Sequence, residues 1–357
     1  MTEGLKTLTR YTIEEEHRHP GSTGEFSGLV NVLATAVKII ANQVNKGSLI
    51  GGLGTSRTDS AHDEVEKRLN VISNEVLMQE TQWAGHVAAM VSEEMDGFYA
   101  VPARYRRGKY LLAFDPLDGS SNLDVNMTLG TIFSILRHPD PDTDPSADDF
   151  LQPGVEQVCA GFALYGPATM LILTTGRGVD GFTLDREIGA FVLTHPQMRI
   201  PDDASEFAIN ACNERFWEQP VKRYVQECLD GAAGTRGKDF TMRWVASLVA
   251  YTFRILTLGG MYLDPMDAMD PNRSGGVRLL YEASPIAFII EQAGGAASTG
   301  SGRVMELTPD GLHQRVPLMF GSKSEVQRIE RYHAEFADGD SGFDRSLFTV
   351  RSLFRTN

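Results

Sequence analysis

The sequence predicts an α/β protein built from two packed halves. At 357 residues, 42% of them hydrophobic, the chain is about two domains long and can bury a large core. The first half of the chain contains helical patterns and the short apolar runs that are typical of buried strands. In the second half, predicted strands alternate with predicted helices. A segment rich in proline and aspartate, residues 195–205, separates the halves and is the predicted domain boundary.

The first half is predicted to begin with two helices. Ser22 and Glu25 resemble a capping box, and apolar residues follow at helical spacing until Gly47. Residues 51–55 are rich in glycine but lack the lysine of a Walker loop, which favours a connector over a nucleotide site. The second helix is marked by its apolar positions, which are Val65, Leu69, Ile72 and Val76.

Apolar runs bounded by turn residues predict the strands. They lie at residues 86–91, 110–114, 131–136, 158–164, 169–174, 190–194 and 207–210, and a helical pattern covers residues 285–292. We therefore divide the chain into an N-terminal domain (1–197) and a C-terminal domain (198–337). A polar tail (338–357) follows, and we expect it to be partly disordered.

Composition argues against several classes of protein. A formal net charge of -14 lacks the basic footprint of a nucleic-acid binder, so cations for a phosphorylated substrate must be concentrated locally. No stretch reaches the roughly 18 apolar residues of a membrane span, and a signal peptide is not apparent, so we expect a cytoplasmic protein without membrane contact. Cys159, Cys212 and Cys228 have no metal-type spacing, which predicts buried or inert thiols.

The chemistry concentrates after the apolar run at residues 110–114. There the chain reads Asp115-Pro116-Leu117-Asp118-Gly119-Ser120-Ser121-Asn122. Two carboxylates leave a strand end together, Gly119 permits close approach of the backbone to a ligand, and the two serines supply donors for phosphate oxygens. The acidic pair Glu93-Glu94 follows the preceding strand. Mg²⁺ prefers a few carboxylates together with water and phosphate oxygens, so this arrangement predicts a magnesium site.

These segments resemble the class I fructose-1,6-bisphosphatases, within the lithium-sensitive, magnesium-dependent phosphatase superfamily. The matching segments, in family order, are residues 114–122, 130–133, 164–166, 278–283 and 294–295. The resemblance implies a two-domain α-β-α-β-α sandwich, a homotetramer, and hydrolysis of the 1-phosphate of fructose 1,6-bisphosphate. No covalent phosphoenzyme is required.

The resemblance also implies which residues form the site. It makes Glu93, Glu94, Asp115, Asp118 and Glu282 catalytic carboxylates that bind two or more Mg²⁺ ions, for which Mn²⁺ can substitute, together with the carbonyl of Leu117. Arg278 would bind the 1-phosphate, and residues from Asp118 to Asn122 would contact the substrate. The far end of the substrate would contact Asn210, Arg243 and Trp244, and the arginine would reach across a subunit interface. An AMP site is implied at Thr23, Gly24, Glu25, Phe26, Ser27, Lys109, Tyr110 and Arg137.

Several positions depart from the family pattern. Asn70 replaces an aspartate, and an amide cannot accept a proton from water, so either Glu64 or the metal alone would supply that function. Around the far phosphate, family tyrosines correspond to Asn213, Trp244 and Asp264, and a family lysine corresponds to Gly276, for which Arg273 is a possible substitute. A carboxylate facing a phosphate would repel it by about a kcal/mol or more.

These departures leave alternatives open. Sedoheptulose 1,7-bisphosphate is a second candidate substrate, because a longer sugar would be accommodated by the pocket that departs from the pattern. An inositol-monophosphatase-like activity would use the same metal motif. An AMP-responsive regulatory protein without activity is the third alternative, and it is disfavoured because the acidic residues are intact.

Overall fold

The computed structural model describes residues 5–17, 24–47, 49, 59–266, 268 and 275–338, and in the third helix it describes side chains from residue 66 on. The helices of this part of the chain are α1 (Leu8–His17), α2 (Glu25–Val44), α3 (Asp59–Gln82), α4 (Gln219–Leu229), α5 (Leu248–Leu258), α6 (Ser284–Gln292) and α7 (Lys323–Ala337).

The strands fall into two main sheets and one short pair. In chain order they are β1 (Val87–Ser92), β2 (Phe98–Ala100), β3 (Tyr110–Asp118), β4 (Leu129–Arg137), β5 (Cys159–Tyr165), β6 (Thr169–Thr174), β7 (Val179–Asp185), β8 (Ala190–Met198), β9 (Glu206–Ala208), β10 (Thr241–Met242), β11 (Met261–Asp264), β12 (Val277–Arg278), β13 (Ala296–Ser298), β14 (Arg315–Val316) and β15 (Leu318–Gly321). The large sheet has the order β2-β1-β3-β4-β5-β6-β7-β8, and the smaller one the order β10-β9-β11-β15-β13.

Hydrophobic residues on the two faces of each sheet define five layers. Alternate residues of a strand point to opposite faces. In β4, Phe133 packs with α1, α2 and α3, whereas Ile132 packs with α5, α6 and one face of the smaller sheet. The other face of the smaller sheet, with Met261 and Met319, packs against α4 and α7. The predicted α-β-α-β-α sandwich of two packed halves is therefore confirmed.

Helix α2 is the central helix of the first layer. Its apolar stripe, which includes Leu29, Leu33, Val37 and Ile40, is fully or almost fully buried. Among the described residues it is the one helix with the length and hydropathy of a membrane span, yet half of that window is buried inside the protein. The helix has the features of a core helix of a globular domain.

Most of the predicted elements are present, but the first half begins with α1, which was not predicted because its sequence LTRYTIEEEH carries few apolar residues. Two further corrections concern the start of α2 and a strand of the large sheet. Helix α2 begins after Gly24, whose φ of 76° and lack of a side-chain cap replace the predicted capping box, and Ser22 lies outside the described residues. Strand β7 was not predicted, because its sequence VDGFTLD combines glycine and aspartates with few apolar residues. Residues 51–55 and 339–357 also lie outside the described residues.

The cysteines differ in their surroundings. Cys159 and Cys228 are buried, and burial raises the pKa of the Cys228 thiol to about 12. Such thiols are poor nucleophiles, since the thiolate is the reactive form. Cys212 is exposed, because it lies in a surface 3₁₀ turn.

Candidate active site

The acidic turn lies where β3 leaves the centre of the large sheet. Strands β1 and β3 are parallel neighbours, with Ser92 beside Phe114, whereas the other neighbouring strands of this sheet are antiparallel. The carboxyl ends of parallel strands meet at the same edge. Glu93 therefore emerges next to Asp115, and its N–H donates to the carbonyl of Phe114 at 3.2 Å.

Two further features shape this turn. The pairing of β3 with β4 shifts its register between Asp115 and Asp118, which forms a bulge at the proline between them. Gly119 has a φ of 73°, and a Cβ atom there would lie 2.8 Å from Cβ of Ser247. Only glycine fits this position without strain. The bulge and the glycine thus aim two carboxylates of one strand toward the same side.

The third carboxylate comes from the second half of the chain. Residues Leu279–Ala283 form a π-helical turn that follows β12 and leads into α6, and it contains Glu282. The backbone N–H of Arg278 donates a short hydrogen bond to Glu282. Carboxylate oxygens of Asp115, Asp118 and Glu282 lie within 4.8 Å of one another. Asp115 and Asp118, three residues apart in the sequence, thus form one cluster with the distant Glu282.

Asp118 is bound by the first turn of α5. Its two oxygens accept hydrogen bonds from N–H of Leu248 at 3.3 Å, from N–H of Val249 at 3.0 Å and from the hydroxyl of Ser247 at 3.0 Å. A helix N-terminus favours a negative charge. The carboxylate therefore joins the large sheet to a helix of the middle layer.

The carboxyl groups of this cluster are hard to ionise together. Burial and the neighbouring Glu282 raise the pKa of Asp115 well above its usual range. Burial raises the pKa of Asp118 to about 6, although hydrogen bonds from α5 oppose the shift, and burial raises the pKa of Glu282 to about 8. Like charges in a desolvated cluster are stabilised by a divalent cation, so the donor set fits a hard metal ion.

Glu94 lies at the rim of the cluster. Partial burial and the adjacent charge of Glu93 raise the pKa of its carboxyl group, and a hydrogen bond from the side chain of Asn70 opposes this effect. The Asn70 amide thus acts as a donor where the family has an aspartate, while its oxygen is buried without a partner among the described residues. The side chain of Glu64 lies outside the described residues.

The serine segment of the turn is tied to α3 and α5. The hydroxyl of Ser120 donates to Glu66 at 2.7 Å, a contact that sequence reasoning missed. Glu66 precedes Asn70 by four residues and so shares its helix face, and this spacing could have indicated the contact. Ser121 is exposed, whereas the buried Asn122 amide donates to the carbonyl of Ala246 at 3.0 Å and holds the turn.

Arg278 lies beside the carboxylate cluster. Its guanidinium Nη2 is 3.9 Å from an oxygen of Glu93, and Nη1 donates to the carbonyl of His313 at 3.3 Å. Its Nε is buried and has no hydrogen-bond partner among the described residues. A guanidinium with an unused donor at the edge of an acidic cluster suits a phosphate oxygen.

The residues predicted for the far end of the substrate lie in the second half. Arg243 is 57% exposed and is 3.7 Å from Glu206, while Trp244 stacks on Tyr262 with ring centroids 6.3 Å apart. The side chain of Asn210 caps a 3₁₀ turn by accepting from the N–H of Cys212 at 3.2 Å. Arg273 lies outside the described residues.

The departures Asp264 and Gly276 are in direct contact. A Cβ atom on Gly276 would lie 2.2 Å from Oδ2 of Asp264. The carboxylate therefore occupies the space in which a larger residue 276 would begin, so the two departures accommodate each other.

The predicted AMP residues gather at the start of α2. Glu25 pairs with Lys109 at 3.1 Å and with Arg106 at 2.8 Å, and Lys109 and Arg137 both lie over the ring of Tyr110. Other members of the set are nearby in the chain, namely Gly24, Phe26 and Ser27, whereas Thr23 lies outside the described residues. The basic side chains are thus neutralised in part by a carboxylate.

Comparison with known protein families gives the identity of this fold. The model of the fructose-1-6-bisphosphatase N-terminal domain matches residues 6–196, and the model of the C-terminal domain matches residues 200–334. The chain belongs to the fructose-1,6-bisphosphatase family. The resemblance seen in the sequence is confirmed, and so is the expected class of enzyme, a phosphatase. Family membership also implies dependence on a divalent metal, which agrees with the acidic cluster.

Curated relatives of this family match almost the whole chain. A class 1 fructose-1,6-bisphosphatase of Hydrogenophilus thermoluteolus is 56% identical over 350 residues, covering 98% of this chain and 97% of the relative. One of Methylibium petroleiphilum is 53% identical over 353 residues, covering 99% and 98%. Among solved structures, the holo form of Leishmania major fructose-1,6-bisphosphatase has a TM-score of 0.83 at 38% identity, covering 92% of this chain and 99% of that one.

Proposed function

We propose that this protein hydrolyses the 1-phosphate of fructose 1,6-bisphosphate with Mg²⁺ as its cation, giving fructose 6-phosphate and phosphate. Two curated relatives that span nearly its full length are named for this activity. The observation that carries the residue assignment is the convergence of Asp115, Asp118 and Glu282 within 4.8 Å. Carboxylate oxygens favour Mg²⁺ over softer metals, which supports the choice of ion.

The metal ligands in this proposal are the clustered carboxylates and their neighbours. They are Glu93, Glu94, Asp115, Asp118, Glu282 and the carbonyl of Leu117. Divalent cations, when bound, would supply Lewis-acid activation of the phosphoryl group and of the attacking water. The raised pKa values of Asp118 and Glu282 support this assignment, because bound cations would restore the ionised forms of both groups.

The phosphate is oriented in this proposal by groups of the chain around the cluster. Arg278 would donate through its unpartnered Nε, and Gly119, Ser120 and Ser121 would offer backbone N–H groups at the turn. Fixed donors around a transferring phosphoryl group stabilise the charge that develops on it. The amide of Asn70 holds Glu94 and does not accept a proton itself.

The test is phosphate release from fructose 1,6-bisphosphate with and without Mg²⁺ after treatment with a chelator. Wild-type turnover should depend on the metal. Asp118→Ala should abolish turnover, whereas Asp202→Ala, at an exposed aspartate, is the matched control and should retain it. Near-normal activity of the Asp118 variant would remove the metal assignment.

Sedoheptulose 1,7-bisphosphate is the second candidate substrate. The observation that favours it is the contact between Asp264 and Gly276, which puts a carboxylate where the family has a basic side chain. The kcat/KM values for the two bisphosphates decide between them. A strong preference for the fructose substrate would mean that the departures at Asp264 and Gly276 do not affect specificity. Equal kcat/KM values, or a higher value for the sedoheptulose substrate, would make these residues determinants of specificity.

The remaining expectations of assembly and regulation belong to the same proposal. Arg243 is exposed in the single chain, as a residue that reaches a second subunit would be, and sedimentation of the purified protein tests the expected homotetramer. The acidic-basic cluster of Glu25, Arg106 and Lys109 supports an AMP site. Loss of AMP inhibition in Lys109→Ala would agree with it. The domain division at residue 197 and a cytoplasmic location stay predictions.

A further inference from the structure

His313 links the segments that carry the active-site groups. It lies just before β14, half-buried, on the side of the acidic cluster. Its Nδ1 is 2.8 Å from the hydroxyl of Tyr281, and its Nε2 is 3.2 Å from the carbonyl oxygen of Asp96. A carbonyl oxygen can only accept, so Nε2 carries a proton and Nδ1 is the atom that meets the tyrosine hydroxyl.

Each partner of the ring belongs to a segment with candidate metal ligands. Asp96 directly follows the turn from Ser92 to Met95, which carries Glu93 and Glu94. Tyr281 directly precedes Glu282 in the π-helical turn. The ring therefore spans the gap between two segments that come from opposite halves of the sequence.

The backbone around the histidine makes a second connection. Its carbonyl accepts from Nη1 of Arg278 at 3.3 Å, and the N–H of Leu279 donates to the carbonyl of Gln314 at 2.8 Å. Pairing of Arg278 with Arg315 in the β12–β14 ladder extends this contact. The segment is thus anchored to the strand that holds the candidate phosphate-binding arginine.

The two segments differ in how firmly they are held. Tyr281 is fully buried and lies within the π-helical turn. Glu94 and Asp96 are exposed. The hydrogen bond that closes the turn between them, from the N–H of Met95 to the carbonyl of Ser92, is long at 3.3 Å and therefore weak. The ring thus ties a loosely held turn to a rigid one.

We propose that His313 is a positioning residue that fixes the Glu93–Glu94 turn at its distance from Glu282, so that both segments can bind the same metal cluster. This inference rests on the proposed metal ligands. Mutation of residues that orient metal ligands without binding the metal commonly changes metal affinity or activity by about 10–100-fold. His313 itself touches neither the metal nor the substrate in this role.

The experiment measures Mn²⁺ binding to the full-length, metal-free protein by calorimetry at 25 °C, with kcat and KM in parallel. His313→Ala should weaken Mn²⁺ binding by about 10-fold and lower kcat with little change in KM. His313→Gln keeps a donor for the Asp96 carbonyl and should recover most of the affinity. Tyr281→Phe removes one hydroxyl from the link and should show a smaller loss.

The matched control is His333→Ala. This histidine is also half-buried with two polar partners, the carbonyl of Ile329 at 2.9 Å and the carboxylate of Glu218 at 3.2 Å, but it lies on α7 in the outermost layer. Its replacement should leave the Mn²⁺ affinity unchanged. An equal loss in this control would mean general destabilisation and would overturn the positioning role.

Other outcomes separate this inference from the proposed function. Mn²⁺ affinity of His313→Ala within twofold of wild type would reject the positioning role alone. If that variant does not fold, Tyr281→Phe decides, and an unchanged affinity there rejects the role as well. Wild-type protein that takes up no Mn²⁺ would reject the metal assignment and this inference together.

Discussion

The Glu282 carboxyl group should make the stability of the metal-free protein depend on pH in an unusual direction. Burial raises its pKa from 4.5 to about 8 in the folded protein. Between these two values the folded state binds a proton that the unfolded state has released. The free energy of unfolding therefore falls as pH rises through this window, by up to about 1.4 kcal/mol per pH unit from this group.

Glu282→Gln removes that contribution, because an amide does not titrate and still offers an oxygen to the N–H of Arg278. From pH 5 to pH 8 the variant should gain about 3 kcal/mol of stability relative to wild type. Above pH 8 the difference should level off, since the group is then ionised in both states. Asp115 and Asp118 titrate in both proteins, and because their charges interact with that of Glu282, the measured difference includes this interaction.

The assay is urea unfolding of chelator-treated protein at a fixed concentration, followed by circular dichroism at several pH values. Adding Mg²⁺ should restore the free energy of unfolding that wild type loses at high pH, because a cation favours the ionised carboxylates. It should have a much smaller effect on the variant. A stability difference between the two proteins that is the same at pH 5 and pH 8 would refute the reasoning.

Three other substitutions test separate parts of the site. Arg243→Ala should raise KM far more than it lowers kcat in steady-state assays, because the exposed side chain would bind a remote phosphate; an unchanged KM would contradict that role. Gly119→Ala should lower the melting temperature, with a loss of about 1–3 kcal/mol, since φ is 73° and the new Cβ meets Ser247; a full retention of stability would argue against strain. Asn70→Asp replaces a hydrogen-bond donor to Glu94 with a negative charge, which should raise the pKa of Glu94 further. The acid limb of the pH profile of kcat/KM should therefore move to higher pH, and an unchanged limb would contradict this prediction.

Local patterns in the sequence were sufficient for the centre of the site. Strand β3 and the residues that follow it were predictable because an apolar run ends in carboxylates, proline and glycine, each with a local physical reason. The strand β1 and its acidic pair were found by the same logic. Site residues that are neighbours in the sequence can be recognised without knowledge of the fold.

Contacts between distant segments could not be predicted in this way. The binding of Asp118 by α5 depends on how two layers pack, and nothing near either segment indicates it. The link through His313 likewise joins residues 217 positions apart. Strand β7 was missed for a local reason, since Gly181 packs closely against Ile172 and His195 and leaves no apolar side chain to detect.

The hydrogen bonds from α5 to Asp118 also bear on the order in which the protein forms. They join positions about 130 residues apart, and closing so long a loop is entropically costly before the layers between them are in place. A chain emerging from the ribosome holds this carboxylate without its helix until more than a hundred further residues have been made. The acidic cluster is therefore complete only when the segment that carries Glu282 has also been made and packed against β3.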